Sequence, residues 1–155
     1  MSYQALIKHY HMKRINQSVK LILELTKTQA ILARRFDSGL GGLGLSEFII
    51  LYNLSIASDE KMRRIDLASK IGLTASGVTR LLLPMEKIGL VKSGEIENDA
   101  RARYVMIAPG GRRKLNQAIE RMELLLNEML PAEKSDKLKK LSEFISEIGA
   151  RTYIR

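Results

Sequence analysis

The stretch LTASGVTR, residues 73–80, gathers small and hydroxylated side chains around a single arginine. Ala75, Ser76, Gly77, Thr79 and Arg80 fall within six positions, and Leu83 and Lys87 continue the same side of a helix. Small residues near a helix N-terminus let the backbone approach another surface closely. Hydroxyls and a guanidinium supply donors for phosphates and for the edges of nucleobases. A second group lies further on, where Asp99, Arg101 and Arg103 crowd the stretch 98–103. An arginine on a protruding turn suits a narrow minor groove, where negative potential is strongest. A carboxylate two residues before it can fix the guanidinium through a charge-assisted hydrogen bond. Taken singly, each group also fits a solvated surface: a polar helix face meeting water, and turn charges.

Other chemistry finds less support. The two histidines, His9 and His11, are two positions apart and point in different directions on a helix, a poor geometry for a metal. The run GLGGLG follows a helix rather than a strand and lacks a Lys-Ser/Thr ending, so it reads as a flexible connection, not a phosphate cradle. With no cysteine there are no disulfides, zinc-thiolate sites or thiol nucleophiles. No carboxylate pair and no nucleophile with a base is suggested by position, so no enzyme, metal or cofactor is expected.

The elements that must position these groups follow from periodicity. Apolar residues Ile15, Val19, Ile22, Leu23, Ile31 and Leu32 recur at three- and four-residue spacing over 13–36, predicting a long helix with one buried face. Glycines between 39 and 44 break it, and Ser46 is placed to cap a second helix over 47–58. A short strand at 62–65 precedes a helix capped by Asp66 and stopped by Gly72. Thr74 then caps a fourth helix, with Leu73 and Val78 spaced as a hydrophobic staple and Val78, Leu81, Leu82, Met85 and Ile88 as its core side. The segments LVKSGEIE and RYVMIA predict a two-stranded hairpin. Pro109 opens a helix to about Leu130, and a last helix over 135–153 aligns Leu138, Leu141, Phe144, Ile145 and Ile148. Methionines 12, 85, 106, 122 and 129 are expected in core packing. The run Arg112, Arg113, Lys114 suits a DNA-backbone contact and a solvated face equally.

Two short helices around Gly72, Leu73 and Thr74 make a helix-turn-helix, and a hairpin directly after the second makes a wing. The chain of 155 residues carries a formal charge of +9 and a pI near 9.9, the electrostatic footprint of nucleic-acid binders. The excess is uneven: residues 1–36 hold seven basic and one acidic side chain, and residues 66–114 hold nine and five. No apolar run reaches membrane-spanning length and no secretory signal pattern begins the chain, so a soluble, cytoplasmic protein without a membrane partner is expected.

The segments DLASKIGLTASGVTRLLLPMEKIGLV and NDARARYVMIAPGGRR resemble the winged-helix core of the MarR (multiple antibiotic resistance regulator) family of bacterial transcription factors. The matching residues are Leu67, Ala68, Ile71, Gly72 and Leu73, VTR at 78–80, MEKIGLV at 85–91, and Asp99, Ala100 and Arg101. The resemblance implies a mainly α fold with a small β wing, a winged helix-turn-helix flanked by long dimerisation helices. Residues 1–36 would form the first dimerisation helix, 45–108 the DNA-binding lobe and 109–155 the last dimerisation helices, in one compact domain. It further implies a homodimeric repressor of pseudo-palindromic operators on double-stranded DNA, released by a small, often aromatic effector. Ser76, Thr79 and Arg80 would face the major groove and Arg101 the minor groove. The alternative is a winged-helix interaction module or a nonspecific DNA-coating protein.

The sequence departs from the family pattern at a few places. Ser93 stands where many members carry a basic residue, removing an expected phosphate contact, and Glu95 and Glu97 weaken attraction along the wing. Ala108 replaces a common capping Thr. Pro84 lacks the N–H that would bond the Arg80 carbonyl, which predicts a kink or loosening there.

Overall fold

The computed structural model describes residues 16–96, 99–130 and 135–153. The elements run in the order α1 (Gln17–Gly39), α2 (Leu45–Ser55), a 3-10 turn (Ser58–Glu60), β1 (Lys61–Arg63), α3 (Arg64–Ile71), α4 (Ala75–Lys87), β2 (Val91–Ile96), β3 (Asp99–Ile107), α5 (Pro109–Met129) and α6 (Ser135–Tyr153). This is the mainly helical architecture with a small β wing that the sequence predicts. His9, His11, Met12 and Ile15 lie outside the described residues.

Helix starts follow the available acceptors. The Asn16 side chain accepts the Val19 N–H at 2.8 Å to open α1. Two carboxylates, not Ser46, open α2: Glu47 Oε2 accepts the Gly44 N–H at 2.9 Å and Asp37 Oδ1 accepts the Leu45 N–H at 2.7 Å. Charged acceptors bind orphan N–H groups more strongly than a hydroxyl, and they set the start two residues earlier than Ser46 would. The helix also stops at Ser55, short of 58, and gives way to the 3-10 turn. Asp66 is likewise not a cap. β1 ends at Arg63, α3 begins at Arg64, and the Asp66 carboxylate accepts from Arg63 Nε at 2.7 Å.

The core forms where α2, α3, α4, the sheet and the start of α5 converge. Ile50, Leu51, Leu54, Leu67, Val78, Leu82, Met85, Val91, Val105 and Leu115 are all buried. The sheet is antiparallel with strand order β1-β3-β2, Met62 opposite Val105 and Ser93 opposite Val105 on its other side. The turn after α1 is anchored rather than flexible. Leu40 and Leu43 are each buried, Gly41 and Gly42 supply the left-handed backbone at φ 69° and 83°, and Lys114 Nζ donates to the Gly41 carbonyl at 2.7 Å. Gly111 allows another close approach: a Cβ there would lie 2.0 Å from the Leu90 carbonyl oxygen. That same carbonyl accepts the Ala108 N–H at 3.0 Å, so the wing and the first turn of α5 are clasped together.

Apolar residues of α1, two methionines and Ile88, expected on buried faces, are outside in the single chain, and so are those of α6, which the sequence offers to a dimer seam. Val19, Ile22, Leu23 and Ile31 on α1 are exposed, with Phe36 alone fully buried on that helix. Leu138, Leu141, Phe144 and Ile145 on α6 are 40–50% exposed, and Ile148 is half-buried. Met106 and Met129 are exposed, whereas Met85 is buried and Met122 half-buried. Ile88 is 67% exposed, because α4 ends at Lys87 and the chain turns at Gly89 (φ 75°) before the helical rhythm can return it to the core.

Candidate nucleic-acid interface

Helix α4 starts where expected. Thr74 Oγ1 accepts the Gly77 N–H at 3.1 Å, and Gly72, at φ 71°, ends α3 three residues before α4 begins. Val78, Leu82 and Met85 anchor one side of the helix in the core. The side turned to solvent carries Ala75, Ser76, Arg80, Leu83 and Lys87, all exposed, with Gly77 and Thr79 half-buried beside them. Leu73 is 42% exposed and Val78 is buried. The helix runs unbroken through Pro84, and the Ile88 N–H donates to the Pro84 carbonyl at 3.1 Å. The loosening predicted near Arg80 does not divide α4; buried Leu82 and Met85 on either side hold that turn in place.

The wing is longer than the hairpin read from the sequence. Asp99, Arg101 and Arg103 belong to β3 itself rather than to a loop, because pairing with β2 extends outward to Ile96 opposite Asp99. The ladder passes from Glu95 opposite Arg103 to Ile96 opposite Asp99, a shift of register near the tip. Arg103 is exposed; Asn98 and the side chains of Asp99 and Arg101 lie outside what is described.

A network not anticipated from the sequence joins wing to helix. The Glu86 carboxylate accepts the Ser93 N–H at 2.8 Å, Arg64 Nη2 donates to Ser93 Oγ, and Arg64 lies 4.0 Å from Glu86. Hydrogen bonding from Ser93, side chain first and then backbone, holds the Glu86 carboxyl below its ordinary value of 4.5, and the Arg64 charge adds to this. Arg64 Nε is buried without a hydrogen-bond partner. Ser93 is therefore an anchor for β2. Its guanidinium partner lies 29 positions away, beyond any local pattern.

The basic run at the start of α5 is divided in role. Arg112 pairs with Glu60, Lys114 is bonded to Gly41, and Arg113 is exposed. On α1, Ile31, Arg34, Arg35 and Ser38 line an open groove of about 430 Å³, in which the Ser38 hydroxyl donates back to the Arg35 carbonyl. Among the described residues no group of three or more His, Asp or Glu side chains is placed to hold a metal. No described helix is long and apolar enough to cross a membrane.

Solved structures share this geometry. AbsC, a MarR family transcriptional regulator from Streptomyces coelicolor, superposes with a TM-score of 0.71 at 20% identity, over 87% of this chain and 96% of its own. The transcriptional regulator BldR from Sulfolobus solfataricus gives 0.71 at 27% identity, over 87% and 99%. MosR, a transcriptional regulator of M. tuberculosis solved in complex with DNA, gives 0.72 at 22% identity, over 84% and 94%. No protein-family model matches the chain, and no curated protein does. The fold is that of the MarR family transcriptional regulators, as the sequence resemblance implies.

Proposed function

We propose that this protein is a sequence-specific, DNA-binding transcriptional regulator that acts as a homodimer. The observation that carries the reading is the exposed face of α4. A helix capped at Thr74 and anchored by Val78, Leu82 and Met85 turns Ala75, Ser76, Arg80 and Lys87 to solvent. Beside it stands the wing, with Arg101 and Arg103 on β3. MosR, which shares the fold, is solved with DNA.

In this reading the positive charge draws in the duplex, and phosphate contacts from Lys87 and the wing set the register. Ser76, Thr79 and Arg80 enter the major groove, with Ala75 and Gly77 allowing close approach. Arg101 and Arg103 follow the minor groove. The Arg64–Glu86–Ser93 network holds both parts at one spacing, so that helix and wing dock together. The exposed apolar faces of α1 and α6 supply the dimer seam, which sets two recognition helices against two half-sites.

Selection of bound fragments from a genomic DNA library at physiological salt tests the proposal. Enrichment of a pseudo-palindrome with half-sites about one helical turn apart is the expected result. Binding without enrichment would move the protein to the class of nonspecific DNA-coating or interaction modules.

A further inference from the structure

The exposed face of α4 is less polar than its sequence. The Thr79 hydroxyl donates to the Ala75 carbonyl at 2.9 Å, so its hydrogen is engaged within the helix. The hydroxyls of Thr74 and Ser76 are hydrogen-bonded to each other at 3.1 Å, and Thr74 Oγ1 also caps the Gly77 N–H. Leu83 is 59% exposed. At about 100° per residue, positions 75, 86, 79, 83, 76, 87 and 80 follow one another around a single arc, and Leu83 lies near its centre. Ile88 and Pro84 fall outside that arc. The cations Arg80 and Lys87 lie along one side of Leu83, and Glu86, on the other side, is taken up by the Ser93 N–H and faces the Arg64 guanidinium, so the two cations set the charge a polyanion would meet.

We infer that Leu83 is a specificity-determining residue that reads the C5-methyl group of thymine in the major groove of each half-site. The inference rests on α4 being the recognition helix. Thymine alone among the four bases presents an apolar group at that edge. Cytosine and adenine present amino donors there, which Leu83 would cover without supplying an acceptor. The Thr79 hydroxyl is engaged within the helix, and Thr74 and Ser76 spend one of their two hydroxyl hydrogens on each other, which leaves Arg80 as the donor with most free N–H groups beside Leu83, so methyl contact and guanidinium contact together define the half-site.

The test uses the enriched operator with each thymine of a half-site replaced singly by deoxyuridine, which removes the methyl and nothing else. Wild-type protein should lose about three- to tenfold in affinity at one or two positions. Leu83→Ala should lose a similar factor on the thymine operator and become indifferent to deoxyuridine at those positions, while Leu83→Met keeps the discrimination. Leu83 is exposed, so neither variant opens the core. Indifference of the wild type to every replacement would overturn the inference while leaving sequence-specific binding intact. Deoxyuridine discrimination retained by Leu83→Ala would also overturn it, and absence of any enriched operator would overturn both this inference and the function it rests on.

Discussion

Arg80 and Lys87 carry the same charge on the same exposed face of α4, but their chemistry differs. A guanidinium can bond two acceptors on one guanine edge, whereas an ammonium acts on phosphate as a compact charge. Arg80→Ala should therefore relax base preference, at a cost of about 1–3 kcal/mol on the operator and little on scrambled DNA. Lys87→Ala should weaken both alike and reduce the slope of log affinity against log salt by about 1. Equal losses on both duplexes for Arg80→Ala, read by titration at several salt concentrations, would remove it from base reading. Most of this face is legible from residue types alone, since Ala75, Ser76, Arg80 and Lys87 stand where a helical count puts them. The local engagement of the hydroxyls is not legible, because a donor's choice between its own helix and a partner depends on rotamer and not on spacing.

At the scale of elements, α4, the wing and α5 form a mechanical unit. Gly111 lies where a Cβ would strike the Leu90 carbonyl, a backbone atom with no freedom to rotate aside. Gly111→Ala should lower unfolding stability by about 1–3 kcal/mol in chemical denaturation, through displacement of β2 from α5. Glu86 gives a pH-dependent contribution of definite sign. Its folded pKa lies below the ordinary value of 4.5, so its stabilising effect is complete above that value and is lost as pH falls through the folded one. The melting temperature of Glu86→Gln should fall less steeply than that of the wild type below about pH 4.5. Parallel curves for the two proteins would show that the network does not hold the wing. The order of elements could be read from glycines, caps and apolar rhythm. Exact starts could not, because Asp37 and Glu47 outcompete Ser46 for the first N–H groups of α2, and Asp37 belongs to the previous helix. Arg64 escaped notice for the same reason: its partners, Glu86 and Ser93, are near only in the folded chain.

As a whole molecule the chain has a well-packed lobe and long helices that it cannot cover by itself. Phe36 is the buried residue of α1, while Val19, Ile22, Leu23 and Ile31 face solvent, and α6 shows the same exposure along Leu138, Leu141, Phe144 and Ile145. Apolar stripes of this length need a partner of matching shape, and in the proposed dimer a second copy would supply it with two-fold symmetry. In the proposed dimer, two recognition helices related by two-fold symmetry would meet the same side of a duplex about 34 Å apart, one turn of B-DNA. The most direct measurement of that claim is affinity for the enriched operator before and after five base pairs are inserted between its half-sites. The insertion turns the second half-site to the opposite side of the duplex. The dimer should then hold one half-site only and lose at least about tenfold in affinity. Unchanged affinity would mean that each lobe reads DNA alone and would contradict the dimeric account.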